Sequence, residues 1–358
     1  LLKKYHKLYP DDFRLINMIY HMTNSKPKQS IELEKPVIVF CAKSGIQDWS
    51  PNHITSECSG SEIMLINLSK KLSKDYRVFV FGDVIEGNYE GVEYFRFEKL
   101  LEFCNNYKIQ TYIVSRLAKY LLYLPNINNV LLWIHDTGVG FDYHLQYHKT
   151  KLKKILCLCN WHKNKIKINY NIPDTYLDTT FNAIDLSRFD KKIDKIPYRF
   201  IYSSDIVRGL DNLLQIIPKI KNIFTKTTLY IFTKTLPNNL QVIVDSLDYV
   251  FYSPRVTQEQ IAIEYLKSDV WLYPTNFLET FCITALEAQL SGLLCITTHK
   301  GSLSEIVGNR GIIVDGDPSL EKTQDTIVKK LQFVLKNKNI KDNLIQKGKE
   351  WAKKYTIN

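Results

Sequence analysis

The feature that most constrains this chain is a strand-then-helix alternation that runs through it twice. From Lys35 onward, short apolar runs such as VIVFCA (37–42) and RVFVFG (77–82) have the character of strands buried on both faces of a parallel sheet. Between them, residues 60–75 place apolar side chains at helical spacing. Further strand-like runs follow at TYIV (111–114), VLLWIH (130–135), KILCLC (154–159) and TYLDTT (175–180). The alternation restarts at YRFIYSS (198–204) and continues through a helix at 210–224, TLYIFT (228–233), DYVFYS (248–253), a helix at 257–268, DVWLYP (269–274), LLCITT (293–298) and GIIV (311–314). This pattern predicts an α/β chain with two Rossmann-like, doubly wound parallel-sheet domains. Residues 36–197 form the first and 198–358 the second, with the charged stretch 182–197 at their junction. Ligands of such sheets bind outside the carboxyl ends of the strands, so two domains facing a central cleft put the expected site in that cleft.

Residues 1–35 stand apart as a helical segment and linker, resembling the end of an upstream helical-repeat domain. The start, LLKKYHKLYPDD, lacks an initiator Met and reads as a fragment boundary, not a signal peptide. The end, WAKKYTIN, reads as cutting short a C-terminal helical clasp. No stretch approaches eighteen consecutive apolar residues, so no membrane-spanning helix is expected. The seven cysteines show no C-x-x-C spacing and read as buried free thiols of a reducing, cytoplasmic compartment; Cys157 and Cys159 would share one face of a strand. The net charge of +11 concentrates in residues 148–168, without the interleaved aromatic residues of a single-strand nucleic-acid groove. The segment reads as a solvated face or as a phosphate- or membrane-attracting rim. Peripheral membrane contact through the basic N-terminal domain is therefore kept as a partner class, and nucleic acid is not. Neither G-x-G-x-x-G after the first strand nor a P-loop occurs, which argues against an NAD enzyme or an ordinary ATPase.

The stretch ETFCITALEAQLSG (279–292) poses a chemical question, because one glutamate precedes a short helix and a second sits inside it. With Thr280 as N-cap, the helix would run from Phe281 to Ser291, bury Ile283, Leu286 and Leu290, and stop at Gly292. Its free amides at Phe281 and Cys282 then suit an anion. Carboxylates beside an anion site need partners of their own, and the diols of ribose and hexose supply them. The layout suits a nucleotide sugar. Glu279 and Glu287 could instead be a cap charge and a surface charge.

Residues 277–307, FLETFCITALEAQLSGLLCITTHKGSLSEIV, resemble the signature of the retaining family-four glycosyltransferases of GT-B fold, whose mark is Glu, seven residues, Glu. GSE (60–62), FNAIDLSRF (181–189), VRGLDNLL (207–214) and LKSDVWLYPTNFLETF (266–281) fall in the same order as in that family, and the resemblance covers about residues 36–345. It implies transfer of a sugar from a nucleotide-diphosphate donor, UDP- or GDP-linked, to an acceptor hydroxyl on a glycan, lipid or protein. No cofactor and no metal are implied. Glu287 would bind the donor ribose, Glu279 the hexose hydroxyls, and the Phe281 and Cys282 amides the diphosphate, with Thr280 beside them. Arg208 would meet the distal phosphate and His135 would flank the transferred sugar. Gly60 and Ser61 would open the first helix on the acceptor side.

Two departures stand out. Ser203, followed by Ser204, occupies the place of a second family cation, leaving Lys234 as a substitute and Ser204 as a further donor-side candidate. Thr280-Phe281-Cys282 replaces Gly-Phe-Gly. The plainer alternatives pair Arg208 with Asp205 or Asp211, put His135 and Asp136 in a strand-end turn, and pack His162 beside Trp161. Asp315-Gly316-Asp317 reads as a turn, not a metal site. The rival functions are a GT-B module that binds nucleotide sugar or glycan without turnover and a basic nucleic-acid binder.

Overall fold

The computed structural model describes residues 30–43, 48–54, 58–121, 126–139 and 152–357. The helical segment expected before residue 30, part of the loop 43–59 and residues 148–151 of the basic stretch lie outside the described residues. The chain divides into two compact units, one of residues up to Leu158 with Lys163–Thr180, the other of Cys159–His162 with Phe181–Asn358.

The first unit is built on β1 (Val37–Ala42), α1 (Gly60–Leu72), β2 (Arg77–Gly82), β3 (Gly87–Tyr89), β4 (Val92–Arg96), α2 (Leu100–Asn106), β5 (Ile109–Ser115), β6 (Ile127–Trp133), β7 (Leu152–Cys157), α3 (Asn160–Tyr170) and β8 (Leu177–Thr179). Its sheet has the order β3-β4-β2-β1-β5-β6-β7-β8. Every pairing is parallel except β3 with β4. All six residues of β1 are buried, as its unbroken apolar run requires. The β3–β4 hairpin is new relative to the sequence reading. Its turn sets Glu90 at φ 52° and Gly91 at φ 84°, and a glutamate in that conformation is a weaker hairpin signal than Asn or Asp. Strand β7 ends at Cys157, so Cys157 and Cys159 do not share a strand face; Cys159 goes with the second unit. All seven cysteines are buried and free of disulfides.

The second unit carries β9 (Arg199–Tyr202), α4 (Leu210–Ile223), β10 (Thr228–Thr233), α5 (Asn238–Asp245), β11 (Val250–Pro254), α6 (Gln258–Lys267), β12 (Val270–Tyr273), α7 (Ile283–Leu290), β13 (Leu294–Thr298), α8 (Leu303–Ile306), β14 (Ile312–Val314), α9 (Glu321–Lys336) and α10 (Lys338–Ala352). All pairings in its six-stranded sheet are parallel, in the order β11-β10-β9-β12-β13-β14. That order reverses between β9 and β12, which makes their carboxyl ends the topological switch point. Residues 181–197, assigned to the first domain by sequence, belong here. Ile184 bridges Thr356, Arg188 donates to the Gln258 carbonyl, and Lys195 donates to the carbonyls of Leu266 (3.2 Å) and Ser268 (2.7 Å). The two sheets with their flanking helices are the two parallel-sheet α/β domains of a GT-B fold. Among the described residues no helix is long and apolar enough to cross a membrane.

Candidate functional site

At the switch point of the second sheet, two loops leave adjacent strands, and two glycines let them and the loop after β13 close on one another. The chain runs from β9 through 203–209 into α4, and from β12 through 274–282 into α7. Gly209 sits at φ 102°, and a Cβ there would strike the Pro274 carbonyl and lie 3.0 Å from Thr275 Cα. Gly301, at φ 56°, leaves room for the Glu279 backbone, whose nitrogen would lie 2.5 Å from an added Cβ. The Ser302 amide donates to the Glu279 carbonyl at 2.8 Å. Side chains at either glycine would push the loops apart, so close approach is what these positions require.

The approach brings Arg208 to Glu279, residues 71 positions apart. Arg208 Nη1 donates to Glu279 Oε1 at 2.5 Å. The Tyr273 hydroxyl donates to the same oxygen at 2.7 Å and lies 3.2 Å from Ser204 Oγ. Glu279 is only 3% exposed, so this carboxylate has given up its water for a guanidinium and a phenol. The Arg208 guanidinium also lies over the Phe277 ring, 4.2 Å from its centroid. Burial works against the Arg208 charge, but the neighbouring Glu279 carboxylate more than offsets it and holds the group above its usual pKa. Arg208 thus pairs with Glu279, not with Asp205 or Asp211. Asp205 instead caps its own short 3-10 turn by accepting from the Val207 amide at 3.3 Å.

Glu287 is 6% exposed and is not the surface charge of the plainer reading. Arg188 Nη2 donates to its Oε1 at 3.1 Å and to the Gln258 carbonyl at 2.8 Å, and Nε donates to the same carbonyl at 3.1 Å, which fixes the guanidinium. Burial raises the Glu287 pKa above the ordinary glutamate value, with Arg188 working in the opposite direction. Helix α7 carries buried side chains on nearly its whole surface, including Ala285, Leu286, Ala288 and Gln289. It starts at Ile283, two residues later than the sequence suggested, because its N-cap is Cys282 in the left-handed region (φ 66°) and not Thr280. The helix N-terminus therefore presents the Ile283 and Thr284 amides, which have no intrahelical acceptor. Phe281, 1% exposed, packs its ring near Phe181 and Tyr355. The Thr280 carbonyl accepts from Cys159 Sγ at 3.2 Å. At the other end the Gly292 and Leu293 amides close the helix on the Gln289 and Ala288 carbonyls, as the expected stop requires.

The remaining candidates spread more widely. Ser203, in place of a second cation, is hydrogen bonded to the Tyr265 hydroxyl. Lys234 follows β10 with its ammonium 3.9 Å from Asp205 and 63% exposed. Asp317 accepts from Asn276 Nδ2 at 2.6 Å and from the Ser319 amide at 2.9 Å, the turn expected of its surroundings. His135, Gly60 and Ser61 belong to the first unit. His135 follows β6, is 9% exposed and lies 4.5 Å from the Trp133 ring, while Asp136 pairs with Arg116 at 2.9 Å. Gly60 starts α1. Ser61 lies beside Lys43, Glu62 and Arg116 in a small pocket at the carboxyl ends of β1 and β5, with its hydroxyl 2.9 Å from that of Ser59. Among the described residues no group of three or more His, Cys, Asp or Glu is arranged to hold a metal ion. Sequence reasoning missed Tyr273 and Arg188. Both lie in quoted motifs, but a strand-end tyrosine and a loop arginine name no partner until the chain is folded.

Comparison with known proteins follows the same lines. Residues 183–351 match the model of the family described as glycosyl transferases group 1. Over 83 residues the chain is 36% identical to a D-inositol 3-phosphate glycosyltransferase of Paenarthrobacter aurescens (strain TC1), which covers 22% of this chain and 20% of that protein. The chain thus matches about a fifth of the length of this curated relative. Among solved structures, a glycosyltransferase from Rickettsia africae ESF-5 superimposes with a TM-score of 0.69 at 13% identity, covering 91% of this chain and 96% of that one. HepE of Anabaena, solved in complex with UDP and glucose, gives 0.64 at 12% identity, covering 90% and 96%. At such identities the likeness is one of fold. The family match falls within the second unit, and the solved structures share the GT-B fold.

Proposed function

We propose that the protein transfers a sugar from a nucleotide-diphosphate donor to an acceptor hydroxyl on a glycan, lipid or protein, with retention of configuration and without a metal. The observation that carries this reading is the Arg208–Glu279 pair at the switch point, with Glu287 inside the helix that follows. A cation, a helix N-terminus and two buried carboxylates supply what a diphosphate and two diols need. Arg208 and the Ile283 and Thr284 amides would take the phosphate charge that builds as the nucleoside diphosphate leaves. Glu279 would accept from hexose hydroxyls and Glu287 from the ribose, each orienting its ring. With the leaving phosphate oxygen on the same face as the incoming hydroxyl, that oxygen can accept the acceptor proton, and retention follows without an enzymic nucleophile.

The HepE complex with UDP and glucose supports a uridine donor as the first to try. A panel of UDP- and GDP-sugars, followed by proton NMR, tests the reading. The expected product keeps the anomeric configuration of the donor, and an inverted product overturns retention. Arg208→Ala is expected to lower turnover by about a hundredfold, the usual effect of removing one group that stabilises transition-state charge. The second reading, a module that binds without turnover, is favoured by the Ser203 hydroxyl turned to Tyr265 and by the buried Cys282 side chain in a glycine-like conformation. Nucleotide binding with no product across the whole panel would establish it.

A further inference from the structure

Tyr273 closes β12 as a buried phenol, 1% exposed, one residue before Pro274. Its ring stacks on Trp271 at 4.8 Å and on Tyr202 at 5.9 Å, so the hydroxyl is held in direction as well as place. Burial and the adjacent Glu279 raise its pKa well above the usual phenol value, so the proton stays on oxygen at physiological pH. A carboxylate can only accept, so that proton lies toward Glu279 Oε1, and the Ser204 hydroxyl, 3.2 Å away, is left to donate to the phenol oxygen. Oε1 therefore holds two donors, Tyr273 and Arg208, whereas Oε2 takes no hydrogen bond among the described residues.

This division of labour matters because Arg208 has two partners to serve. Ser203 brings no charge to the site, so an incoming diphosphate draws on the guanidinium that already holds Glu279. If Arg208 alone held that carboxylate, phosphate binding would release the group needed to orient the sugar. We propose that Tyr273 is a positioning residue that keeps Glu279 Oε1 anchored while Arg208 engages the donor diphosphate, leaving Oε2 aimed at the donor sugar hydroxyls. The inference rests on the donor-site reading above.

Tyr273→Phe keeps the stacked ring and removes only the hydroxyl. Its crystal structure with a nucleoside diphosphate bound is expected to show the Glu279 carboxylate turned from the position it keeps in the wild-type complex. Calorimetry with UDP, UDP-glucose, GDP and GDP-mannose should then show the variant binding the free diphosphates as wild type does. The matching nucleotide sugar should lose about tenfold in affinity, the worth of one hydrogen bond to a charged group. Equal losses for diphosphate and nucleotide sugar would mean a general structural role and overturn the inference. A Glu279 carboxylate unmoved in the diphosphate-bound variant overturns it as well. Wild type binding none of the four ligands would instead overturn the donor reading on which the inference rests.

Discussion

At the scale of single residues, the site is two buried glutamates with different keepers. Glu279 is held by Arg208 and Tyr273, and Glu287 by Arg188. For Glu287 the keeper sets a pH dependence. A carboxylate accepts from a ribose diol, and its protonated form loses most of that capacity, so donor affinity falls as pH drops through the Glu287 pKa. Burial puts that acid limb above the ordinary glutamate value, while the Arg188 charge pulls it down; Tyr265, from α6, also interacts with Glu287 and stays neutral across this range. Arg188→Ala removes the lowering influence. The expected result is an acid limb of donor affinity moved to higher pH than in wild type. Titration of nucleotide affinity against pH for both proteins checks it, and an unmoved limb would mean that Arg188 does not set the state of Glu287. The glutamates themselves were legible in the sequence because their spacing around a helix start has a chemical meaning. The arginines paired with them were not, because a separation of 71 or 99 positions carries no local pattern.

At the scale of elements, loops joined through glycine set the geometry. The sequence indicated most strands to within two residues, since continuous apolar runs between turns leave little choice. It misjudged the start of α7, because Thr280 obeys the usual N-cap preference while the chain enters the helix through Cys282 at φ 66°. It overlooked β3 and β4, whose three and five residues join through an unusual Glu-Gly turn. The role of Gly209 was also hidden, since only folding brings it against Pro274. Gly209→Ala should force the β12–α7 loop off the start of α4. Strain at that φ together with the clash should cost about 2–4 kcal/mol of stability, and loosen Arg208 from Glu279. Denaturant unfolding reads the loss directly. A variant as stable as wild type would show that the two loops do not depend on this contact.

At the scale of the whole molecule, the doubled alternation of strand and helix was enough to foresee two Rossmann-like units, because buried parallel strands and crossover helices each have their own period. The division between the units was harder to read. Charge and a closing proline at 182–197 looked like a linker, yet Phe181, Ile184, Arg188 and Lys195 are all committed to the second unit. That unit contains Arg208, Glu279 and Glu287, so the central claim can be tested on the intact chain by ligand-linked stability. A ligand that binds only the folded state at a hundred times its Kd adds about 2.7 kcal/mol. The decisive measurement is a thermal-shift series with UDP, GDP, ADP and their common sugars on wild type and Glu287→Gln. A rise in melting temperature with one nucleotide series, lost in the variant, is the predicted result. No rise with any nucleotide, or an equal rise in both proteins, would contradict a nucleotide-sugar site built on these glutamates.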